Sequence, residues 1–148
     1  MNNAKLKPAV CLVLHAHMPY VLRHGHWPHG EVWLMEAVVG VYLPLIKTLR
    51  HLSNQSLSLS FALGLTPVLL LQLSDQGFQA RFEKYLIGLI DAAQSDASNN
   101  DFRAIASHWA NHYAELYALY LQIEKDLPAE FAAFQELGLL ELLGGMST

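Results

Sequence analysis

The sequence predicts an α/β fold in which parallel strands alternate with helices. Three short apolar stretches, "AVCLVLHAH", "LSLSFALGL" and "LLELL", are typical of buried strands. Between them, apolar residues recur every three or four positions, which is the helical period. Strands that alternate with helices form a parallel sheet with helical crossovers. Because three strands are few for a closed domain, we expect the opening part of a larger (β/α) barrel, with strands at roughly 9–17, 57–65 and 139–143.

The first strand leads into a loop at 18–30 that is rich in turn residues, namely Pro19, Gly25, Pro28 and Gly30. A helix is then expected from Glu31 to Leu52, where apolar residues follow the helical period. Pro44 lies inside this helix. Because proline lacks a backbone N–H and crowds the preceding turn, we expect Pro44 to kink the helix or restart it.

The remainder of the chain is expected to be mainly helical up to the third strand. Thr66 and Pro67 are typical of a helix start, and a second helix follows with the apolar positions Phe78, Phe82, Leu86, Leu89 and Ala93. The polar stretch "SDASNND" breaks the pattern, with Asp101 as the expected N-cap of a long helix from Phe102 towards Leu127. Pro128 opens a short last helix that Gly138 closes.

Composition excludes several function classes. The net charge of −4 and the pI near 6.0 provide no basic surface for nucleic acid or for an anionic membrane. Cys11 is the single cysteine, which forms no internal disulfide and suits a reducing compartment. No uninterrupted run of about 18 apolar residues is present to span a bilayer. We expect a soluble cytoplasmic protein without nucleic-acid or membrane partners.

Histidines are concentrated in the loop after the first strand. Residues 13–33 contain five of the eight, namely His15, His17, His24, His26 and His29. Side chains two apart in a strand face the same way, so His15 and His17 are predicted to point together. They stand at the carboxyl end of the strand, where α/β folds place their active sites.

Three interpretations of the histidine pair remain open at this point. The two imidazoles could share a metal ion, as in metal-dependent hydrolases. They could instead hydrogen-bond a polyhydroxylated substrate, with Trp27 or Trp33 offering a flat apolar surface to a sugar ring. In the third, the histidines only orient the loop. Trp33 lies just inside the predicted helix and is expected to pack in the core, so Trp27 is the better ligand candidate.

A second histidine pair, His108 and His112, is spaced as metal ligands on one helix would be. The intervening residues lack the glutamate of the metalloprotease pattern. We therefore expect a helix face partly packed against a neighbour. Tyr113, Tyr117 and Tyr120 recur at the helical period and are expected to form a packing stripe.

The stretch "LHAHMPYVLRHGHWPHGEVWLMEA" resembles the first signature region of the α-glucan branching enzymes of glycoside hydrolase family 57. That region has the pattern His-x-His-x-Pro-Tyr-Val, followed by Gly-His-Trp-x-x-Gly-Glu-x-Trp. The resemblance continues through "YLPLIKTL", "LTPVLLLQLSD" and "FQARFEKYL". It reaches "GLLELLGGMST", which is similar to the start of the second signature region, so it covers essentially the whole chain.

The resemblance implies a distorted seven-stranded (β/α) barrel and a retaining cleavage of α-1,4 glucan. Branching members transfer the cleaved chain to a 6-hydroxyl and so form α-1,6 branches, as in glycogen synthesis. Such chemistry uses two carboxyl groups about 5–5.5 Å apart. In the family these belong to a glutamate and an aspartate in the third and fourth signature regions, which are expected beyond Thr148. Residues 1–148 would then be the N-terminal portion of the catalytic barrel domain, truncated before the catalytic carboxylates, and would be inactive alone.

The resemblance also implies roles for the histidine loop. His15 and His17 would hold the hydroxyls of the reacting glucose, while His26, Trp27 and Glu31 would shape the wall of the site. Glu31 is expected in addition to stabilise the first turn of its helix and to hydrogen-bond the loop. No metal or cofactor is implied, and the partner would be an α-glucan such as amylose or glycogen. The alternatives are a metal-dependent hydrolase that uses the His15/His17 pair, or a non-catalytic glucan-binding remnant.

Overall fold

The computed structural model describes residues 10–26, 28–55 and 61–145. Three strands form one parallel sheet, β1 (Val13–Ala16), β2 (Phe61–Leu65) and β3 (Leu140–Leu143), in the spatial order β1-β2-β3. The register pairs Leu14 with Leu63, and Leu63 with Leu142. The α/β class and the parallel sheet are therefore confirmed. The described strands are shorter than predicted and do not close a barrel, and the predicted strand residues 9 and 57–60 lie outside the described part of the chain.

The helices lie in the two connections between the strands. The first connection holds α1 (Glu31–Ala37), a π-helical turn (Val38–Tyr42) and α2 (Leu43–Ser53). The second holds the remaining four helices, namely α3 (Pro67–Leu73), α4 (Gln76–Asp96), α5 (Arg103–Gln122) and α6 (Leu127–Glu136). The predicted order of strand, helix, strand, helices and strand is thus confirmed.

Pro44 alters the helix of the first connection locally, as expected, and a new α-helical segment starts beside it. Pro44 is in the first turn of α2, and the π-helical turn lies immediately before it. Because Pro44 has no N–H for the carbonyl of Gly40 and its ring crowds that group, the preceding turn widens. The helical run Glu31–Ser53 is nevertheless continuous, and it is long and apolar enough by length and composition alone to span a membrane. An uninterrupted apolar run does not identify this helix, because charged residues are spaced along it.

The run Glu31–Ser53 has the burial of a core helix. Half of the residues in its most apolar 18-residue stretch are buried inside the protein. Leu34, Val38, Leu43 and Ile46 are inaccessible to solvent. A helix covered by a sheet and by other helices needs the same apolar composition as a membrane span, so composition alone does not separate the two.

The two faces of the sheet have different environments. Leu63, Leu65 and Leu140 are buried in the core against the helices. Strand residues that alternate with these point to the other face, where His15, Glu141 and Leu143 are exposed. Sequential parallel strands with right-handed crossovers place all helices on one side, which is the arrangement at the start of a (β/α) barrel. The open face corresponds to the inside of such a barrel.

The second connection is held by an aromatic core and by capped helices. Tyr120 is almost fully buried, with its ring edge-on to Phe82 at a centroid distance of 4.9 Å. Burial raises the pKa of the Tyr120 hydroxyl. Tyr113 and Tyr117 pack against the same core, so the predicted tyrosine stripe is confirmed.

Helix ends in the second connection agree in part with prediction. Gly138 follows α6 with a left-handed φ of +71°, as expected for a glycine that closes a helix. Asp101 is not the N-cap of α5, which begins one residue later than expected, at Arg103 after Phe102. The side chains that do cap helices are Asp75 at α4 and Asp126 at α6. The prediction for Asp101 was wrong because the backbone turn at 99–102 continues past it before the helix starts.

Candidate functional site

The histidine pair lies at the carboxyl end of β1 and points to the open face of the sheet. The imidazole centroids of His15 and His17 are 6.2 Å apart, and the ring planes differ by 16°. Both side chains are exposed. The imidazole of His15 lies beside Gly64 of β2, and a Cβ added to Gly64 would be 3.1 Å from His15 Nδ1. The prediction that the two side chains point together is confirmed, and a glycine on the neighbouring strand provides the room.

A cleft of about 390 Å³ lies beside the free edge of β1, within the size range of small-ligand sites. It is lined by His15, His17 and Met18 at the end of β1, by Trp33 and Tyr42 of the helical run, and by the core-side residues Leu14, Leu63, Leu65 and Phe131, so it reaches from the edge of β1 to the helix side of the sheet. Burial raises the pKa of the Tyr42 hydroxyl, so this group stays protonated at neutral pH. The cleft is mainly apolar with a few polar groups, which is the usual composition of a small-molecule site.

Trp33 is a surface residue of this cleft and not a core residue. Its side chain is 44% exposed, whereas the next two residues, Leu34 and Met35, are buried. The expectation that Trp33 packs in the core was wrong. Local sequence shows that one stripe of the helix is buried, but only the angle at which α1 meets the sheet decides which stripe that is.

Glu31 anchors the histidine loop. Its carboxylate accepts hydrogen bonds from Arg81 Nε at 2.6 Å and Arg81 Nη2 at 2.7 Å, and from the backbone N–H of Arg23 at 3.3 Å. The residue is buried, and its position in the first turn of α1 suits a negative charge. The hydrogen bond to Glu31 raises the pKa of Arg81 above its ordinary value. The predicted bond to the loop is confirmed, whereas the sequence analysis did not identify Arg81, because it lies 50 residues away.

Gln72 is a second anchor that the sequence analysis missed. This fully buried residue of α3 accepts a hydrogen bond from the N–H of Val21 at 2.7 Å. It donates to the carbonyl of Pro19 at 3.1 Å and to that of Val68 at 3.2 Å. The signal in the sequence was one glutamine inside the apolar stretch "LTPVLLLQL". A buried amide must find partners, and here they are the loop residues next to the histidine pair.

The far end of the histidine loop closes on itself through two glycines. The N–H of Glu31 donates to the carbonyl of Gly25 at 3.1 Å, and Gly25 has a φ of +85°. A Cβ on Gly30 would clash with the same Gly25 carbonyl oxygen. Between them His26 is exposed, so its predicted place in the wall of the site stays a prediction. Trp27, the preferred platform in the sequence analysis, lies outside the described residues.

Thr66 ends β2 beside the histidine pair. Its N–H donates to the carbonyl of Ala16, and its side chain is on the same face of the sheet as Gly64. Its hydroxyl is buried, accepts no hydrogen bond as the N-cap of α3, and is the one buried side-chain polar atom without a partner among the described residues. The predicted helix start at Thr66 and Pro67 is confirmed, without a side-chain cap.

The described residues hold no group of three histidine, cysteine, aspartate or glutamate side chains arranged to bind one metal ion. Neither histidine pair therefore gains a third ligand in this part of the chain. His108 and His112 instead flank Trp109, with ring centroids 5.7 Å and 5.5 Å from the indole. The site as described can bind a neutral polar ligand through imidazoles and an indole.

Comparison with known proteins indicates what this arrangement is similar to. The profile of glycosyl hydrolase family 57 matches residues 11–146. The chain is 30% identical over 144 residues to the 1,4-alpha-glucan branching enzyme TK1436 of Thermococcus kodakarensis. The aligned region covers 97% of this chain and 21% of that protein.

Solved structures agree with the sequence comparison. The crystal structure of TK1436 in complex with glucose and additives superimposes with a TM-score of 0.88 at 30% identity, over 90% of this chain and 24% of that one. The GH57-type branching enzyme from Pyrococcus horikoshii gives a TM-score of 0.87 at 30% identity, over 90% and 26% of the two chains. The α-amylase AmyC from Thermotoga maritima, at 23% identity and a TM-score of 0.78, shares the fold. The chain thus spans about a quarter of the length of these structures.

Proposed function

The chain belongs to glycosyl hydrolase family 57, and from that premise we propose that its histidine pair holds a glucose unit of an α-glucan. The protein as a whole would cleave α-1,4 glucan with retention and pass the cleaved chain to a 6-hydroxyl, as branching enzymes do. Residues 1–148 would supply the sugar-binding part of that site. The two carboxyl groups of the reaction would come from the third and fourth signature regions of the family, which are expected beyond Thr148.

The observation that carries this proposal is the placement of His15 and His17. Two nearly parallel imidazoles lie at the carboxyl end of β1, on the sheet face that corresponds to the inside of a barrel. A neutral imidazole has one N–H donor and one nitrogen acceptor, so it can bond a sugar hydroxyl in either direction. The likeness to a branching enzyme whose crystal structure contains glucose supports a sugar as the ligand.

The cleft supplies the apolar part of the recognition. The exposed indole of Trp33 lines it together with His15 and His17. A pyranose ring has C–H groups on its faces and hydroxyls on its rim. A ring that lies against an indole while imidazoles meet its rim therefore satisfies both kinds of surface.

The experiment is a titration of the 148-residue protein with maltotriose, followed by calorimetry or by protein NMR. His15→Ala and His17→Ala are compared with the control His51→Ala, since His51 is exposed near the end of α2 and bonds Gln55. Loss of one hydrogen bond of about 0.5–1.5 kcal/mol predicts a drop in affinity of about two- to twelvefold for each site variant and none for the control. Absence of binding, or equal affinities in all variants, would contradict the proposal.

A further inference from the structure

Two further clefts lie along the helical run Glu31–Ser53, next to the cleft that His15 and His17 line. The first is lined by Pro28, His29, Trp33 and Glu36. The second, of about 560 Å³, lies between this run and the α4–α5 pair, and its wall includes Glu36, Gly40, Pro44, Tyr85, Trp109 and Tyr113. We call this second cleft the distal groove. Trp33 lines both the cleft beside the histidine pair and the first of these clefts, and Glu36 lines both the first cleft and the distal groove, so neighbouring clefts meet at shared side chains along the helical run.

From this continuity we propose that the distal groove binds the part of an α-glucan chain that extends beyond the histidine site. The inference rests on the proposed function, because it extends the same ligand along the same surface. The occupant is a linear α-1,4 glucan several units long.

The path follows one stripe of the helix surface. Trp33, Glu36, Gly40 and Pro44 are three or four residues apart, so they lie on one side of the helical run. Over these residues the helix rises about 16 Å, at about 1.5 Å per residue. A Cβ on Gly40 would contact nothing within 4 Å, so the path has open space at its middle. This length exceeds one sugar ring and matches an extended ligand.

Aromatic rings form the outer wall of the distal groove. Trp109 is 43% exposed, with its indole stacked on Tyr113 at a centroid distance of 5.5 Å and an angle of 28° between the planes. His112 meets the indole edge-on at 5.5 Å. Packing against Tyr113 holds the indole in place while part of it stays accessible to a ligand. A rigid, partly exposed indole is suited to the C–H face of a sugar.

Polar groups lie at the margin of the same groove. Glu36, His112 and the hydroxyl of Tyr85 all line it. Burial raises the pKa of Tyr85, and the negative charge of Glu36 raises it further, so the hydroxyl remains protonated and able to donate a hydrogen bond. Sugar hydroxyls can accept from and donate to these groups. The groove is otherwise apolar, and these marginal groups offer hydrogen bonds that a sugar can use and an apolar helix of another polypeptide cannot.

A neighbouring surface of α5 provides the matched control. Phe102 is 57% exposed and lines an adjoining cleft with Trp109, but it does not line the distal groove. If the exposed apolar residues of α5 served to bind another polypeptide, Phe102 and Trp109 would act together. If the distal groove binds glucan, only Trp109 matters.

The experiment compares maltotriose with maltoheptaose on the 148-residue protein. We expect the protein to bind the longer glucan about three- to tenfold more tightly, which is the contribution of one aromatic contact. Trp109→Ala should remove this preference for length and leave the affinity for maltotriose unchanged. Phe102→Ala should retain the preference. Trp109→Phe keeps an aromatic ring against Tyr113 and should retain most of the preference for the longer glucan. That result would show that the loss in Trp109→Ala is not a folding defect.

Each other outcome overturns a separate part of the reasoning. If Trp109→Ala keeps the preference for maltoheptaose while His15→Ala loses both ligands, the distal groove is refuted and the proposed function stands. If the unaltered protein binds neither glucan, the proposed function fails first. If Trp109→Ala and Phe102→Ala both change self-association in sedimentation and neither changes glucan binding, the surface is a polypeptide contact and the inference is wrong.

Discussion

Replacement of Gln72 by leucine tests whether one buried amide positions the histidine loop. Leucine is close in size to glutamine, so the change removes hydrogen bonds with little change in packing. The bond to Val68 lies within α3, but those to Val21 and Pro19 connect segments more than 50 residues apart. Gln72→Leu therefore leaves the N–H of Val21 and the carbonyl of Pro19 without their partner.

The magnitude follows from these two groups. A buried polar group left without a partner costs about 1–3 kcal/mol. Val21 is buried, whereas Pro19 is exposed, and water can replace the lost bond at its carbonyl. We therefore expect the free energy of unfolding to fall by about 1–3 kcal/mol, which comes mainly from the N–H of Val21 and is a large part of the stability of a small domain. Gln79→Leu is the matched control, since the Gln79 amide donates only a local bond to the carbonyl of Leu73.

Urea unfolding followed by circular dichroism measures the change in free energy, provided that the slope against denaturant is the same in both proteins. Amide hydrogen exchange at Val21 reports on the loop directly, and its protection should fall in Gln72→Leu and persist in Gln79→Leu. A stability within about 0.5 kcal/mol of the unaltered protein, with Val21 still protected, would refute the reasoning.

Two further predictions concern the open face of the sheet and the α4–α5 pair. Gly64→Ala places a Cβ 3.1 Å from His15 Nδ1, so the imidazole must shift. Calorimetry should then show about two- to fivefold weaker binding of maltotriose, with little change in the thermal unfolding of the protein. An unchanged affinity would argue against a role for the position of His15. A hydrogen bond from Lys125 Nζ at 2.7 Å holds the pKa of Glu83 below its ordinary value of 4.5. A carboxyl with a lowered pKa in the folded state stabilises the protein above its unfolded-state pKa, and this contribution is lost as pH falls through the folded-state pKa. Glu83→Gln should therefore lower stability at pH 7 and narrow the difference between pH 7 and pH 3; equal pH dependence in both proteins would contradict this.

Features that depend on neighbouring residues were predicted from the sequence. His15 and His17 point the same way because side chains two apart in a strand share a face. The helix changes to a π-helical turn just before Pro44 because proline acts on the turn that precedes it. Glu31 was placed correctly in a first helical turn, in contact with the histidine loop. Each of these inferences needs only a few consecutive residues.

Features that depend on distant segments were not predicted. Arg81 meets Glu31, and Gln72 meets Val21, across 50 and 51 residues of sequence. A buried carboxylate and a buried amide both require hydrogen-bonding partners, but many residues in the chain could provide them. Which ones do so is decided when α3 and α4 pack beside the loop.

The parallel α/β order, the histidine pair and the resemblance to a glucan-acting family could all be predicted from the sequence, because periodicity and short motifs depend on consecutive residues. The exposure of Trp33 in a cleft, and the position of Glu36 and Trp109 in the wall of one groove, follow from tertiary packing. A helical period specifies that one side of a helix is buried. The angle and depth at which that helix packs, which set the exposure of each side chain, arise only from the simultaneous contacts of all its neighbours.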